Sequence, residues 1–294
     1  MIHTGISLAP NVTPELFRLL ANHPDIEIDW ISRNAAYADD HFFDSLQGEL
    51  DRIRIADTPD FDGLDLYIGP YTPLADNRPE IKCIFTDISG CSDSEHIVQG
   101  ICELNRKTFV RGATRASLPS VSTMLGALAM MPLAKNLMLN SKVTGTMLLP
   151  ARTPRSCRFL VPAHSLDDAD LAPLRSILVA LQNSFSSVMQ LSTVETSATP
   201  FACAILTIDL KITAEQALSL FHEFYDDHRH IFLTGRDITD RMVEDTNKTV
   251  IGMRNDSSGR LVVSVGFDAR YKGAAGNIVH ILNLMFGLDE RTGF

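Results

Sequence analysis

Three histidines and two aspartates lie close together in the sequence, a grouping that could bind a metal ion. They are His222, Asp226, Asp227, His228 and His230. Imidazole and carboxylate groups are ordinary zinc ligands. These residues lie at the end of a predicted helix, however, where histidines more often satisfy the last carbonyl groups and complement the helix dipole. We therefore predict no metal site.

Thiol chemistry is the second possibility that the residue types raise. The five cysteines are Cys83, Cys91, Cys102, Cys157 and Cys203. Their number is odd, their spacing is wide and no C-x-x-C pair occurs, so neither a disulfide framework nor a zinc site is indicated. We predict reduced thiols in a cytoplasmic protein.

The composition is that of an ordinary globular protein. The chain has 294 residues, of which 45% are hydrophobic and 21% charged, enough for two domains. A net charge of −10 without a cluster of lysines and arginines argues against a nucleic-acid partner. The longest apolar stretch, Met124 to Met131, ends at Pro132 and is too short to span a membrane. The N-terminus has no signal-peptide pattern, which agrees with a cytoplasmic location.

The first part of the chain alternates between strand and helix patterns. Strands are predicted over 2–8, 26–31, 64–68 and 81–85. Between the first two, Thr13 stands at the N-cap position of a helix, with Pro14 in its first turn. A strand, a helix and a strand in this order form a parallel βαβ unit. Residues 1–112 are therefore predicted to form a Rossmann-like α/β domain.

The middle of the chain does not alternate strictly. A helix is predicted from Ser117 through Met131, followed by a mixture of strands and helices. The predicted strands cover 143–149, 158–161, 202–210 and 260–265, and the predicted helices cover 170–189 and 213–224. This order favours an α+β domain with a mixed or antiparallel sheet over residues 113–273. A C-terminal helix within 274–294 is expected to complete the first domain.

The segment Lys272-Gly-Ala-Ala-Gly276-Asn-Ile-Val-His280 opens this last helix with a glycine-rich turn. Ile278, Ile281, Leu282 and Met285 form one apolar stripe, and Gly287 stands where a left-handed helix stop is expected. The string closely resembles the C-terminal signature of N-acetyl-gamma-glutamyl-phosphate reductases, members of the semialdehyde dehydrogenase family. Glu103-Leu-Asn-Arg106 resembles the segment that precedes their nucleophile. The resemblance implies a two-domain fold, NADP as cofactor, and assembly into dimers or tetramers.

The phosphate-binding loop of that family is altered in this chain. In register with the reductases, the glycines of their G-x-x-G-x-x-G loop fall on Ser7, Pro10 and Thr13. Proline removes a donor N–H and fixes φ, where glycine would let the backbone approach a pyrophosphate. Ser32-Arg33 resembles the contact to the NADP 2′-phosphate, although a polar strand end explains these two residues equally well.

The catalytic residues of the family are also altered. In the reductases a Pro-Gly-Cys motif supplies a thiolate at a helix N-terminus. The corresponding turn here retains Gly112 and places Ala113 at the nucleophile position. The neighbouring hydroxyls of Thr114 and Ser117 are interpreted as helix caps. His164 is the nearest counterpart of the family's general acid/base histidine.

Two functional readings follow from these resemblances. The first is a catalytically degenerate relative with a binding, regulatory or structural role, which needs no cofactor and takes a small-molecule or protein ligand. The alternative is an active NADP-dependent oxidoreductase acting on a semialdehyde or acyl phosphate, or an enzyme of altered reaction. In either case we expect a homo-oligomer assembled through the apolar strands of the second domain, residues 202–210 and 261–265.

Overall fold

The computed structural model describes residues 1–32, 48, 53–151 and 159–294. Its strands are β1 Ile2–Ser7, β2 Ile26–Ser32, β3 Arg54–Ala56, β4 Leu66–Pro70, β5 Lys82–Asp87, β6 Val98–Gln99, β7 Arg115–Ser117, β8 Val143–Pro150, β9 Phe159–Ser165, β10 Met189–Thr196, β11 Phe201–Ile208, β12 Ile231–Thr234, β13 Thr249–Asn255 and β14 Leu261–Asp268. Its helices are α1 Pro14–Ala21, α2 Pro73–Asp76, α3 Cys102–Val110, α4 Val121–Lys135, α5 Asp168–Leu181, α6 Ala214–Tyr225 and α7 Gly276–Phe286.

The chain divides into two compact units. The first comprises Met1–Pro119 and Ala274–Phe294, and the second comprises Ser120–Gly273. The sequence placed the first boundary after residue 112. The observed boundary lies later because β7 pairs in parallel with β5 and thus belongs to the first sheet.

The first unit is built on a parallel sheet with strand order β3-β2-β1-β4-β5-β7-β6. Its central strands bury both faces: Ile68 and Ile84 are buried on one face, and Tyr67 and Phe85 on the other. The order reverses between β1 and β4, and in such sheets ligands bind beyond the carboxyl ends of the strands at this reversal. The prediction of a Rossmann-like α/β fold is confirmed.

The second unit is built on a mixed sheet with strand order β12-β13-β14-β11-β8-β10-β9. The pairs β8–β10 and β12–β13 are parallel and the other pairs are antiparallel. Helix α4 packs against β8, β11 and β14, and α6 packs against β12 and β13. The prediction of an α+β fold with a mixed sheet is confirmed as well.

Helix α4 passes through a proline without breaking. Pro132 lies inside the helix and has no N–H to donate to the carbonyl of Leu128. The hydroxyl of Tyr225 on α6 donates to that carbonyl instead, at 2.7 Å. The helix can therefore continue to Lys135, because the Leu128 carbonyl, which receives no N–H from Pro132, still accepts a hydrogen bond.

Helix α7 belongs to the first unit and is buried on all sides from Gly276 to Met285. Gly287 ends it at φ 69°, the left-handed stop that the sequence predicted. The sequence indicated a single apolar stripe, but the polar positions are buried too, and each has hydrogen bonds. The Asn277 amide donates to the carbonyl of Gly100 at 2.7 Å, and the Asn283 amide donates to that of Thr292 at 2.9 Å.

The two segments that carry the family resemblance meet in this unit. A carboxylate oxygen of Glu290 lies 2.7 Å from a guanidinium nitrogen of Arg106, and the other lies 2.8 Å from Nε2 of His280. The Glu290 side chain is only 8% exposed and that of His280 2%. The Glu103–Arg106 segment and the C-terminal segment thus form one polar cluster, which we call the Glu290 cluster: Arg106, His280 and Glu290. Its contacts hold α3, α7 and residues 288–294 together.

Candidate functional site

Ser7 lies at the carboxyl end of β1, where the strand order of the first sheet reverses. Its hydroxyl accepts a hydrogen bond from the Ser32 hydroxyl at 3.1 Å, and both residues are buried. Burial raises the pKa of the Tyr67 phenol to about 12, while its hydrogen bond with Ser7 acts in the opposite direction. A β-carbon at Gly69 would lie 2.8 Å from that of Ser7. Ser7 is thus packed into a small polar cluster of the protein's own side chains.

The turn that follows is filled by apolar side chains. Leu8, Ala9 and Val12 are at most 4% exposed and belong to the hydrophobic core of the first unit. The N–H of Leu8 donates to the Ser32 carbonyl, and that of Val12 donates to the Ala9 carbonyl. These donors are therefore already engaged within the protein.

Three further positions of the turn are no better suited to a phosphate. Pro10 and Pro14 have no N–H. Thr13 stands at the N-cap of α1, as predicted, but its hydroxyl makes no capping bond, and this buried oxygen has no partner among the described residues. None of residues 7–13 adopts the left-handed conformation open to glycine. The turn does not fit a bound pyrophosphate, which needs several outward N–H groups and open space.

Ser32, the first residue of the predicted contact to an NADP 2′-phosphate, ends β2 and is 5% exposed. Its side chain is engaged with Ser7, which agrees with a polar strand end. Arg33, the other half of the predicted contact to a 2′-phosphate, lies outside the described residues.

The prediction that the turn at Ala113 corresponds to the helix N-terminus of the Pro-Gly-Cys motif is wrong. Ala113 lies in the turn between α3 and β7, beside Gly112 at φ 104°. Strand β7 then runs from Arg115 to Ser117 before α4 begins. Because β7 is parallel to its neighbours, Ala113 lies at the amino ends of the strands, at the opposite edge of the sheet from Ser7.

The helix start that the family's motif requires lies instead after the carboxyl end of β7. The chain there reads Leu118, Pro119, Ser120 and Val121, and α4 begins at Val121. Matching the proline of the Pro-Gly-Cys motif to Pro119 puts the cysteine position at Val121. In the sequence, Pro119 was the residue that could have indicated this alignment, but the alignment on Gly112 was chosen.

Ser120 uses its hydroxyl to cap this helix. The oxygen accepts from the N–H of Thr123 at 3.1 Å, and the hydroxyl donates to the Thr123 hydroxyl at 2.8 Å. The predicted caps Thr114 and Ser117 are wrong, because Ser117 is part of β7 and Thr114 precedes that strand. A serine held as an N-cap stabilises the helix.

Two buried polar residues of the second unit were missed by sequence reasoning. The amide of Asn247 and the hydroxyl of Thr249 have no hydrogen-bond partner among the described residues, although both residues are at most 4% exposed. Thr249 pairs with Phe267, whose ring would lie 3.6 Å from a β-carbon at Gly273. That same β-carbon would lie 3.2 Å from Val121, so Gly273 lies beside the start of α4.

The predicted acid/base residue His164 lies on β9, opposite Thr193 of β10. Its side chain, like Cys157, lies outside the described part of the chain. Within the described ranges, no three or more His, Cys, Asp or Glu side chains are grouped to hold a metal ion. His228 stacks on Phe224, with ring centroids 6.4 Å apart. Among the described helices, none is both long enough and apolar enough to cross a membrane.

Comparison with known proteins places this geometry in a family. The chain is 31% identical to the N-acetyl-gamma-glutamyl-phosphate reductase of Parabacteroides distasonis over 317 aligned residues, which cover 100% of this chain and 98% of the relative. The chain belongs to the N-acetyl-gamma-glutamyl-phosphate reductase family. The reductase of Bacteroides thetaiotaomicron is 29% identical over the same share of both chains. No family model matches the sequence.

Solved structures support the fold assignment. Aspartate semialdehyde dehydrogenase II of Vibrio cholerae, complexed with ASA, matches with a TM-score of 0.71 and 14% identity over 98% of both chains. Aspartate semialdehyde dehydrogenase of Candida albicans, solved with NADP, matches with a TM-score of 0.71 and 12% identity over 97% of this chain and 99% of that one. The chain therefore shares the fold of these semialdehyde dehydrogenases.

Proposed function

We propose that this chain is a catalytically degenerate member of the reductase family with a binding, regulatory or structural role. The observation that carries the proposal is Val121 at the first turn of α4, after Pro119 and Ser120. Reduction of an acyl phosphate through a thioester needs a thiolate that attacks the carbonyl carbon and displaces phosphate. A valine side chain has no lone pair with which to attack.

Three of the described cysteines, Cys83, Cys102 and Cys203, are poor candidates for a substitute nucleophile. Cys83 and Cys102 are buried within the first unit, and burial raises the pKa of Cys83 to about 12. Burial also raises the pKa of the Cys203 thiol on β11. A raised pKa lowers the thiolate fraction at neutral pH, which disfavours nucleophilic attack.

The turn after β1 supports the same proposal from the cofactor side. Its apolar residues are buried in the core, Pro10 lacks an N–H, and Ser7 is engaged with Ser32. Opening a pyrophosphate cradle there would disrupt packing and hydrogen bonds within the first unit. We propose that the chain needs no nicotinamide cofactor.

We expect NADP(H) and NAD(H) to bind with dissociation constants weaker than about 100 µM. Isothermal titration calorimetry measures this directly, with the Parabacteroides distasonis reductase titrated in parallel to establish that the assay detects binding. A dissociation constant of about 1 µM or below would favour the alternative, an active NADP-dependent oxidoreductase.

We further propose that the chain assembles with itself through the second sheet. Along β11, Ala202, Ala204 and Leu206 are fully buried, whereas the alternate residue Ile205 is 48% exposed. Phe232 on β12 is 44% exposed. A sheet face that displays large apolar side chains is suited to packing against another sheet.

Replacing Ile205 by aspartate is expected to convert a dimer or tetramer into monomers, because a carboxylate would be buried without a partner at the interface. Light scattering at micromolar protein concentration gives the mass. The matched control is Val179→Asp, at a 39% exposed position on α5, which should leave the mass unchanged. A monomeric wild-type protein, or an Ile205→Asp oligomer, would contradict the proposed interface.

A further inference from the structure

Two large apolar side chains are exposed at one end of the second unit. Among the described residues of that unit, Leu137 and Val188 are the most exposed of the large apolar side chains, at 60% each. Leu137 follows α4, and Val188 precedes β10. The N–H of Val143 donates to the Val188 carbonyl at 2.9 Å, and the Gln182 side chain bonds both backbone groups of Leu139. The two segments therefore lie side by side.

These side chains lie at an end of the second sheet rather than on the face proposed to pack against another sheet. Ile205, on that face, lies three residues before Ile208, which pairs with Val143 at the start of β8. At about 3.3 Å per residue, Ile205 is about 10 Å farther along the strands. The end of the sheet is thus a second surface, separate from the face around Ile205.

Leu137 has an unfavourable backbone conformation for its residue type. Its φ is 60°, in the turn that ends α4, a position where glycine is usual. A residue with a β-carbon is strained in this conformation, and the exposed leucine side chain gains little burial in return. Folding of one protomer alone would therefore favour glycine at this position, and leucine favours a contact made outside the protomer.

Opposite charges flank the two apolar side chains. Lys142 precedes β8 and Asp209 follows β11, and both residues are exposed. Their backbones are neighbours, since the N–H of Asp209 donates to the Lys142 carbonyl at 2.9 Å. Neither side chain forms an ion pair with any described residue. We call Leu137, Val188, Lys142 and Asp209 the end patch.

We propose that the end patch packs against the end patch of a second copy across a two-fold axis. In such a contact the same surface is used on both subunits, so Lys142 of each copy can pair with Asp209 of the other. The two apolar side chains of each copy are then covered between these ion pairs, as in the core and rim of other interfaces. The inference rests on the self-association through the second sheet proposed above.

A tetramer results when both contacts form. A patch of four side chains is small beside the about 20–30 residues on each side of a stable interface, so it does not hold two protomers together alone. When two dimers joined through their sheet faces meet, however, two pairs of end patches form at once, which strengthens the association. We therefore expect the end patch to join dimers, and loss of the sheet-face contact to give monomers.

Light scattering at micromolar protein concentration should give a mass about four times the 32.4 kDa of one chain. Leu137→Gly and Val188→Asp should each halve this mass. Leu137→Gly is the sharper variant, because glycine suits the left-handed backbone and should not weaken the folded protomer. Circular dichroism establishes that both variants are folded.

An exchange of charges tests the proposed ion pairs. Lys142→Asp should also halve the mass, because the new carboxylate would face Asp209 of the other copy. The double variant Lys142→Asp/Asp209→Lys restores opposite charges across the axis and should restore the tetramer. The matched control is Val110→Asp, at a 59% exposed position on α3, which should leave the mass unchanged.

The possible masses separate this proposal from the one on which it rests. A wild-type monomer would contradict the self-association itself. A wild-type dimer that Ile205→Asp dissociates would leave the sheet-face contact in place and overturn the end patch, as would a tetramer that survives both Leu137→Gly and Val188→Asp. A mass that the double charge variant fails to restore would overturn the pairing of Lys142 with Asp209.

Discussion

Purified protein supplied with NADPH and N-acetyl-gamma-glutamyl phosphate is expected to produce no semialdehyde above the uncatalysed background. Typical enzymes turn over at about 10 s⁻¹, and loss of a covalent nucleophile commonly costs four or more orders of magnitude. The rate is measured from NADPH absorbance at substrate saturation. The reverse reaction, oxidation of the semialdehyde, should likewise proceed no faster than the uncatalysed background. Turnover near about 1 s⁻¹ would contradict the proposed degeneracy.

Val121→Cys sharpens this experiment. A thiol there would lie at the N-terminus of α4, where the helix dipole lowers its pKa, and should react with a thiol reagent faster than the thiol of Ala113→Cys. The latter lies in the turn before β7, outside any helix N-terminus. We propose that the turn after β1 binds no cofactor, so reductase activity should stay absent in both variants. Faster labelling of Ala113→Cys would favour the alignment that places the family's nucleophile at Ala113 rather than at Val121. NADPH-dependent turnover by Val121→Cys alone would refute the proposed loss of cofactor binding.

Replacing Glu290 by alanine is expected to lower the free energy of unfolding by about 2–4 kcal/mol. The change removes the carboxylate that lies against both Arg106 and the buried His280 ring. Arg106 is 39% exposed, so water offsets part of the loss on that side. Urea unfolding can be followed by the fluorescence of Trp30, the single tryptophan, which is 1% exposed in the same unit.

Asp289→Ala is the matched control for Glu290→Ala. Asp289 pairs with Arg291 on the surface, where the two side chains are 59% and 66% exposed. Its loss should change the free energy of unfolding by less than about 0.5 kcal/mol. Equal effects of the two substitutions would show that the Glu290 cluster does not stabilise the first unit.

The sequence predicted both sheets and the end of α7 because these elements carry strong local signals. Apolar runs bounded by turn residues identified β1, β2, β4 and β5, and Gly287 marked the helix stop. The register at Ala113 failed for the opposite reason. Strand β7 has only three residues, Arg115–Ser117, too short for a hydrophobic period to reveal. Gly112 was therefore matched to the glycine of the Pro-Gly-Cys motif, although Pro119 matches the proline of that motif.

The candidate site was predictable only in part. Three positions, Ser7, Pro10 and Thr13, could be recognised because they align with the glycines of the family's G-x-x-G-x-x-G loop. In that loop, glycine lets the backbone approach a pyrophosphate. Thr249 could not be recognised, since its burial depends on the pairing of β13 with β14 rather than on anything in its own segment.

The discontinuous first unit has a consequence for how the protein is made. Its helix α7 comes from residues 274–294, whereas its sheet comes from residues 1–119. A ribosome must therefore synthesise all of residues 120–273 before α7 exists, which takes on the order of ten seconds or more. During that interval the sheet lacks the helix whose buried residues share its core, including Ile278 and Ile281. The second unit is continuous in sequence and can complete its fold first. Until α7 has been synthesised, the incomplete first unit is the part of the chain exposed to chaperones and to aggregation.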